Sequence, residues 1–281
     1  MSLKFKKLIR KFHLSFDALL GRILYPKTSL EKLSQKPHKK IKSEDFCKFR
    51  YSRSNHFSLF RTLPVHEKQS TKNCDLKVYQ DALVYTFILD NFSTGARLLE
   101  IGGGESRIIT ALKENYEIWN LDKLEGSGFG PKKLNQTTGF HLVQSYIGEF
   151  PQELPNSYFD LVFSISTVEH MPKTPKFINN AIENINLVLK PGGYSLHCID
   201  ALQFDDHYFV HPLVKQAADK NLLSSQIVTF EELHSDENFW ALPPYAFYTR
   251  WFHLVKKPLK TFGHPFSINI LWQKNKVFTH A

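Results

Sequence analysis

At 281 residues, 42% hydrophobic and 22% charged, the chain has the composition of an ordinary globular protein, sized for one domain plus an appendage. No run of 18 apolar residues indicates a transmembrane helix, and the first dozen residues, MSLKFKKLIRKF, lack the apolar stretch and cleavage site of a secretory signal. The net charge of +9 is uneven: residues 1–72 hold 18 Lys and Arg against 5 Asp and Glu, whereas residues 73–281 hold 18 against 22. A nucleic-acid enzyme needs a basic catalytic face as well as a basic arm, so nucleic acid is not the expected substrate.

The predicted elements begin with an amphipathic helix ending at Pro26. Its apolar residues Leu3, Phe5, Leu8, Ile9, Phe12, Phe16, Leu19, Leu20, Ile23 and Leu24 recur mostly every three or four positions. Lys4, Lys6, Lys7, Arg10 and Lys11 fill much of the other side. Two readings stand: peripheral membrane contact through residues 1–26, or a helix packed on the main domain. Residues 27–72, rich in Lys, Ser and His, read as an irregular linker or wrap.

From Asp75 the pattern changes to alternating helices and strands. Residues 75–92 predict a helix, RLLEIG (97–102) a buried strand, SRIITALKENY (106–116) a helix and EIWNLD (117–122) a strand. FHLVQSY (140–146) is a weaker strand and FDLVFSIST (159–167) a clear one. KFINNAIENINLVLK (176–190) predicts a helix stopped by Pro191-Gly192-Gly193, then the strand YSLHCID (194–200). SINILWQK (267–274) predicts a last strand. This rhythm predicts an α/β fold: a Rossmann-like, doubly wound, mostly parallel sheet. A basic N-terminal extension (residues 1–72) precedes a main domain (73–281), and an aromatic-rich cap is inserted at about 201–262. The cap either shapes a substrate pocket or is a small satellite core.

LLEIGGGES joins strand to helix. Gly102 and Gly104 let the backbone turn sharply and approach a ligand, and the following helix aims its free N–H groups at the same spot. Asp122 ends the next strand, where a carboxylate can accept from both ribose hydroxyls of an adenosine. The dinucleotide fingerprint needs a third glycine three positions after Gly104, and Arg107 stands there. A phosphate-free nucleoside cofactor with an amino-acid tail suits the loop and Glu100 better.

Over roughly residues 75–200 the chain resembles class I S-adenosylmethionine-dependent methyltransferases, especially the methyltransferase type 11 group. LLEIGGGES resembles their first motif, and IWNLD supplies the acidic residue of the second. FDLVFSISTVEHM (159–171), with Glu169 and His170, resembles the fourth-strand motif, and LVLKPGGYSLH (187–197) the helix-to-fifth-strand motif. The resemblance implies S-adenosyl-L-methionine as cofactor. It implies that Glu100, Gly102, Gly103 and Gly104 line its methionine half and Asp122 its ribose, with Ser145, Tyr146 and Ile147 near the adenine. Ser164 and Ser166 lie where the methionine tail passes. The third-strand end lacks the usual carboxylate, and Ser106 replaces the third glycine.

Methyl transfer to a hydroxyl needs positioning and a general base. His207 is the first choice, with Asp200 as orienter or acceptor-binding group and His170 second; each single His can equally be an ordinary loop or packing residue. Leu242-Pro243-Pro244-Tyr245 stands in the wrong place for the amino-methyltransferase motif it resembles and reads as a turn. The expected acceptor is a small molecule or a glycan or lipid-linked hydroxyl. The alternatives are an RNA or protein methyltransferase using the basic arm, or a non-catalytic S-adenosylmethionine-binding protein. Three cysteines (Cys47, Cys74, Cys198) at spacings that fit no zinc site imply reduced thiols, a cytoplasmic location and no metal.

Overall fold

The computed structural model describes residues 16, 18–21, 23–24, 40–67, 73–126, 130–135 and 137–275. Residues 1–15, most of the predicted basic helix, lie outside them, as do residues 25–39.

Five parallel strands form the centre: β1 (Arg97–Ile101), β2 (Glu117–Leu121), β3 (His141–Val143), β4 (Phe159–Ile165) and β5 (Leu189–Gln203). The order is β3-β2-β1-β4-β5, and β7 (His264–Gln273) pairs antiparallel with β5. The two-residue β6 (Tyr208–Phe209) takes the other edge of β5 at Leu202 and Gln203, beyond the end of β4. Six of the seven residues of β4 are buried, as a central strand covered on both faces requires. The order reverses between β1 and β4, so a crevice opens beyond their carboxyl ends.

Helix α1 (Leu76–Asn91) is buried on nearly every side, from Leu76 and Tyr79 to Phe87 and Ile88. The cause is its double cover. One side faces the sheet, and residues 41–66, in three short 3-10 turns, wrap the other with Phe46, Phe49, Phe57, Phe60 and Leu63. Hydrogen bonds fix this wrap: His56 Nδ1 to Tyr79 OH (2.7 Å), Arg61 N–H to Thr86 Oγ1 (2.7 Å) and Ile41 N–H to Asp90 (2.8 Å). Tyr51 bridges Ile268 on the outer edge of β7, with Ser52 N–H donating to Ser267 O at 2.9 Å. That contact shields a sheet edge that would otherwise expose unpaired backbone.

α2 (Arg107–Leu112) follows β1, and α3 (Pro175–Val188) starts on the Thr174 cap with Pro175 in its first turn. The Lys-Pro-Gly-Gly stretch is not the helix stop expected. α3 ends earlier, at Val188, and β5 begins at once. Phe159 pairs with Leu189 and Leu161 with Tyr194, so two steps along β4 face five along β5. The glycines fold the surplus into a bulge; a Cβ on Gly193 would lie 2.9 Å from Phe159 O.

After β6 come α4 (Leu213–Asp219) and α5 (Phe230–Ser235), packed on the α3 side. A helical run over residues 244–255 then crosses the crevice. Trp251 Nε1–H donates to Asp75 at 3.3 Å, and Arg250 lies 3.7 Å from the same carboxylate, tying this cap to the start of α1.

Candidate active site

A cavity of about 770 Å³ lies beyond the ends of β1, β2, β4 and β5. It is lined by the glycine loop, Asp122 and residues 145–147, together with Lys77, Ser166, His170, Asp200 and the cap residues Arg250, Trp251, Leu254 and Val255.

The loop is built by left-handed backbone at Gly102 (φ +67°) and Gly104 (φ +51°). Gly102 also has no room for a side chain, because a Cβ there would sit 2.2 Å from Thr167 Cγ2. Asp122 closes the loop, accepting from Gly104 N–H at 2.8 Å and Leu124 N–H at 2.7 Å. Each oxygen retains a further lone pair, so the carboxylate can still receive a pair of vicinal hydroxyls. Asn120 braces the loop from beneath, accepting from Gly103 N–H and donating to Gly104 O, both at 3.2 Å.

Glu100 is buried below the loop and does not line the cavity. Burial pushes its carboxyl up to about 7, against the hydrogen bond from Ser106 Oγ. Ser106 also caps α2 by accepting from Ile109 N–H at 3.1 Å. Gly103, Ser145, Tyr146 and Ile147 line the cavity. Lys123 Nζ stands 5.1 Å over the Tyr146 ring, and Tyr146 OH donates to Glu125. Arg107, unused by the sequence reading, also reaches the cavity. It pairs with the buried Asp81, which His66 Nε2 meets at 2.7 Å. Burial works to raise the Asp81 pKa, but the His66 hydrogen bond and the Arg107 charge outweigh it and hold the carboxyl below its usual range.

A second group of polar residues centres on Asp200. Its Oδ1 accepts from Gln80 Nε2 at 2.8 Å and lies 2.8 Å from Ser166 Oγ, which is also 2.6 Å from Gln80 Oε1. Ser166 holds a left-handed φ of +48°, a strained conformation for serine that turns the chain at the mouth of β4. Glu169 stands behind, its Oε2 accepting from Asp200 N–H at 3.5 Å, while its buried Oε1 has no hydrogen-bond partner among the described residues. Burial first, then the nearby Asp200 charge, pushes Glu169 well up, and burial pushes Asp200 up too. The pair therefore favours a shared proton. His170 lies on the cavity wall with Nε2 3.8 Å from Glu169 Oε1. Its own burial lowers its pKa, against the pull of Asp200, leaving a neutral imidazole at pH 7.

Two expected residues stand elsewhere. His207 does not line the cavity; its side chain is 61% exposed, stacked on Phe204 at 4.9 Å and 2.6 Å from Asp206 Oδ1. The reason is the length of β5, which runs three residues past Asp200 and carries the following turn about 10 Å beyond the mouth. Ser164 lies inside β4, fully buried, with Oγ 2.8 Å from His197 Nδ1. Only Ser166, beyond the strand end, reaches the cavity. The sequence reading missed Asp75, Lys77, Gln80 and Thr167, and it had Trp251 only as one of the aromatics of the cap. A signal for the first three was present: polar residues at 75, 77, 80 and 81 gather at the start of the helix, ahead of mostly apolar positions.

Residues 99–197 match the profile of a methyltransferase domain family. No curated protein matches the chain. Among solved structures, the chain is similar to phosphoethanolamine N-methyltransferase 2 of Haemonchus contortus, in complex with phosphomonomethylethanolamine and S-adenosylhomocysteine (15% identity, 70% of this chain, 53% of that chain, TM-score 0.46). It is also similar to 1,6-didemethyltoxoflavin-N1-methyltransferase of Burkholderia thailandensis (14%, 65%, 72%, 0.39) and geranyl diphosphate C-methyltransferase of Streptomyces coelicolor (9%, 70%, 77%, 0.41). The chain spans about half the length of the first of these. The profile match begins in β1 and ends in β5, taking in the glycine loop and the strand ends that floor the cavity; over residues 99–197 the chain carries a methyltransferase domain, set in a Rossmann-like sheet.

Proposed function

We propose that the chain methylates a hydroxyl group of a small molecule or glycan, with His170 as general base. The observation that carries this reading is the part of the cavity lining around Asp200. It offers Asp200 as acceptor, Lys77 as donor and Ser166 as either, beside the Trp251 face, with a neutral imidazole within the same cavity. Sugar-like molecules present that combination, hydroxyls at the edge and an apolar ring face. In this reading Asp122 holds the ribose hydroxyls, Tyr146 and Ile147 flank the adenine, and Gly102 to Gly104 leave space for the methionine tail.

The donor residues fit the cofactor. Asp122 keeps lone pairs facing the cavity, Ile101, Leu121 and Ile147 form an apolar wall, and Arg107 supplies a cation for a carboxylate tail. When bound, the sulfonium supplies an electrophilic methyl and leaves as a neutral thioether. The chain's own work is to hold the acceptor oxygen in line, exclude water with the cap and take the hydroxyl proton onto His170 as the oxygen–carbon bond forms. Asp200 binds the acceptor, and Glu169, protonated behind it, keeps a second charge out of the wall.

The test is methyl transfer from labelled S-adenosylmethionine to a panel of sugars and small alcohols. His170→Gln should lower kcat by 10²–10⁴-fold and remove the acid limb of the pH–rate profile, which in the parent enzyme falls below pH 6.5 because protonated His170 cannot accept a proton. His207→Gln should stay within about twofold, in keeping with its exposed position outside the cavity. Retention of the acid limb in His170→Gln, or label appearing in RNA or protein instead, would reject the reading.

A further inference from the structure

One surface beside the cavity differs chemically from the rest. Residues 16, 18–21, 23 and 24 are helical. Ala18 and Gly21 face inward, and a Cβ on Gly21 would lie 2.4 Å from Tyr248 Cγ, so this helix rests directly on the Tyr248 ring. On its outer side Phe16, Leu19, Leu20, Ile23 and Leu24 are between 41 and 65% exposed. Their spacing of three, one, three and one places them on a single helical face. They are five of the ten large apolar side chains exposed among the described residues, which makes this a patch rather than scatter.

Tyr248 belongs to the cap that also sends Arg250, Trp251, Leu254 and Val255 to the cavity wall. Leu254 itself is half exposed, flanked by the exposed His253 before it and the exposed Lys256, Lys257 and Lys260 after it. No Asp or Glu occurs between residues 248 and 262. In sequence, Lys4, Lys6, Lys7, Arg10 and Lys11 stand just ahead of the apolar face. Apolar side chains bordered by cations match one surface chemistry: acyl chains beneath anionic headgroups.

We propose that this face docks the enzyme on an anionic lipid bilayer, with the cap and the cavity it walls held at the membrane surface. The cations are drawn to the headgroups, and the five apolar side chains enter the headgroup–acyl boundary. A hydroxyl acceptor carried on a lipid would then meet the cavity without leaving the membrane. That last step rests on the function proposed above; the docking does not.

The experiment uses the full chain, sedimented with vesicles of phosphatidylcholine alone or with 30% phosphatidylglycerol. S-adenosylhomocysteine binding by calorimetry reports that each protein is folded, and sedimentation velocity reports self-association. The expected result is at least tenfold tighter binding to the anionic vesicles, weakened by 0.5 M NaCl. The pair Leu19→Ser with Ile23→Ser, and separately Lys256→Glu with Lys257→Glu, should each lose tenfold or more with S-adenosylhomocysteine affinity unchanged. Equal binding of both vesicles, or variants that bind as the parent does, would overturn the proposal. So would a dimer broken by Leu19→Ser with Ile23→Ser in a protein that ignores vesicles, which would make the face a contact between copies. If vesicles bind as expected but no alcohol is methylated, the docking stands and the acceptor assignment falls.

Discussion

Replacing Asp122 with Asn separates the loop bracing seen in the structure from the ribose binding proposed for it. The carboxylate now accepts two backbone N–H groups, from Gly104 and Leu124. An amide of the same shape has one oxygen for the two donors, so one N–H must face an NH₂ group. Losing that bond in a partly buried loop costs about 1–2 kcal/mol. At roughly 2–4 °C per kcal/mol for a domain of this size, Tm should fall by about 3–6 °C. The ribose side loses more. Two hydrogen bonds to a charged acceptor are worth about 1.5–3 kcal/mol each, and a neutral amide oxygen recovers part of one. A net loss of about 3 kcal/mol corresponds to a roughly 100-fold weaker Kd. Calorimetric titration with S-adenosylhomocysteine, paired with a thermal scan, reads both numbers. If Asp122→Asn bound within threefold of the parent while Tm fell as expected, the residue would be a loop brace alone and the ribose assignment would fail.

Two further outcomes concern the scaffold. His197 is buried between Ser164 and Ser195, and burial lowers its pKa to about 3. Its folded pKa lies below the unfolded value, so its contribution is intact above pH 6.5 and is lost as pH falls toward 3. At pH 4.5 the unfolded imidazole has gained a proton that the folded one refuses, about 2.7 kcal/mol over two pH units. Glu100, Glu169 and Asp200, all pushed up by burial, titrate in the opposite sense, so the comparison is with His197→Gln. The parent-minus-variant difference in urea unfolding free energy should shrink by about 2–3 kcal/mol between pH 7 and 4.5, and a constant difference would count against a neutral buried His197. Gly102→Ala should cost about 2–4 kcal/mol, combining left-handed strain with overlap against Thr167. In a Thr167→Gly background the same change should cost measurably less, as a double-mutant cycle in denaturant would show.

The half of the site proposed for the cofactor was readable because it is local. Strand, glycine turn, capped helix and acidic strand end follow one another within 26 residues, from 97 to 122, and each step has its own sequence signal. The half proposed for the acceptor is assembled from afar. Gln80 and Asp200 are 120 residues apart, and nothing near either announces the other. Periodicity places His207 just after a strand, but it does not tell how far β5 runs past Asp200, and three more residues of strand decide on which side of the mouth the histidine falls. Pro191-Gly192-Gly193 shows the same ambiguity: the composition that stops a helix also makes a bulge, and pairing with Phe159 and Leu161 selects the bulge.

The seat of the N-terminal wrap on β7 has a consequence for biosynthesis. Ser52 meets Ser267 across 215 positions of sequence, so the wrap has no partner strand when it leaves the ribosome. At 5–20 residues per second, about 10–40 s pass before β7 is translated. Phe46, Phe49, Phe57 and Phe60 must be sheltered by α1 or by chaperones through that interval. Closure of this edge thus waits for β7, and a ribosome stalled before residue 264 would hold a nascent chain with the Phe46–Phe60 aromatic cluster not yet sealed against that strand.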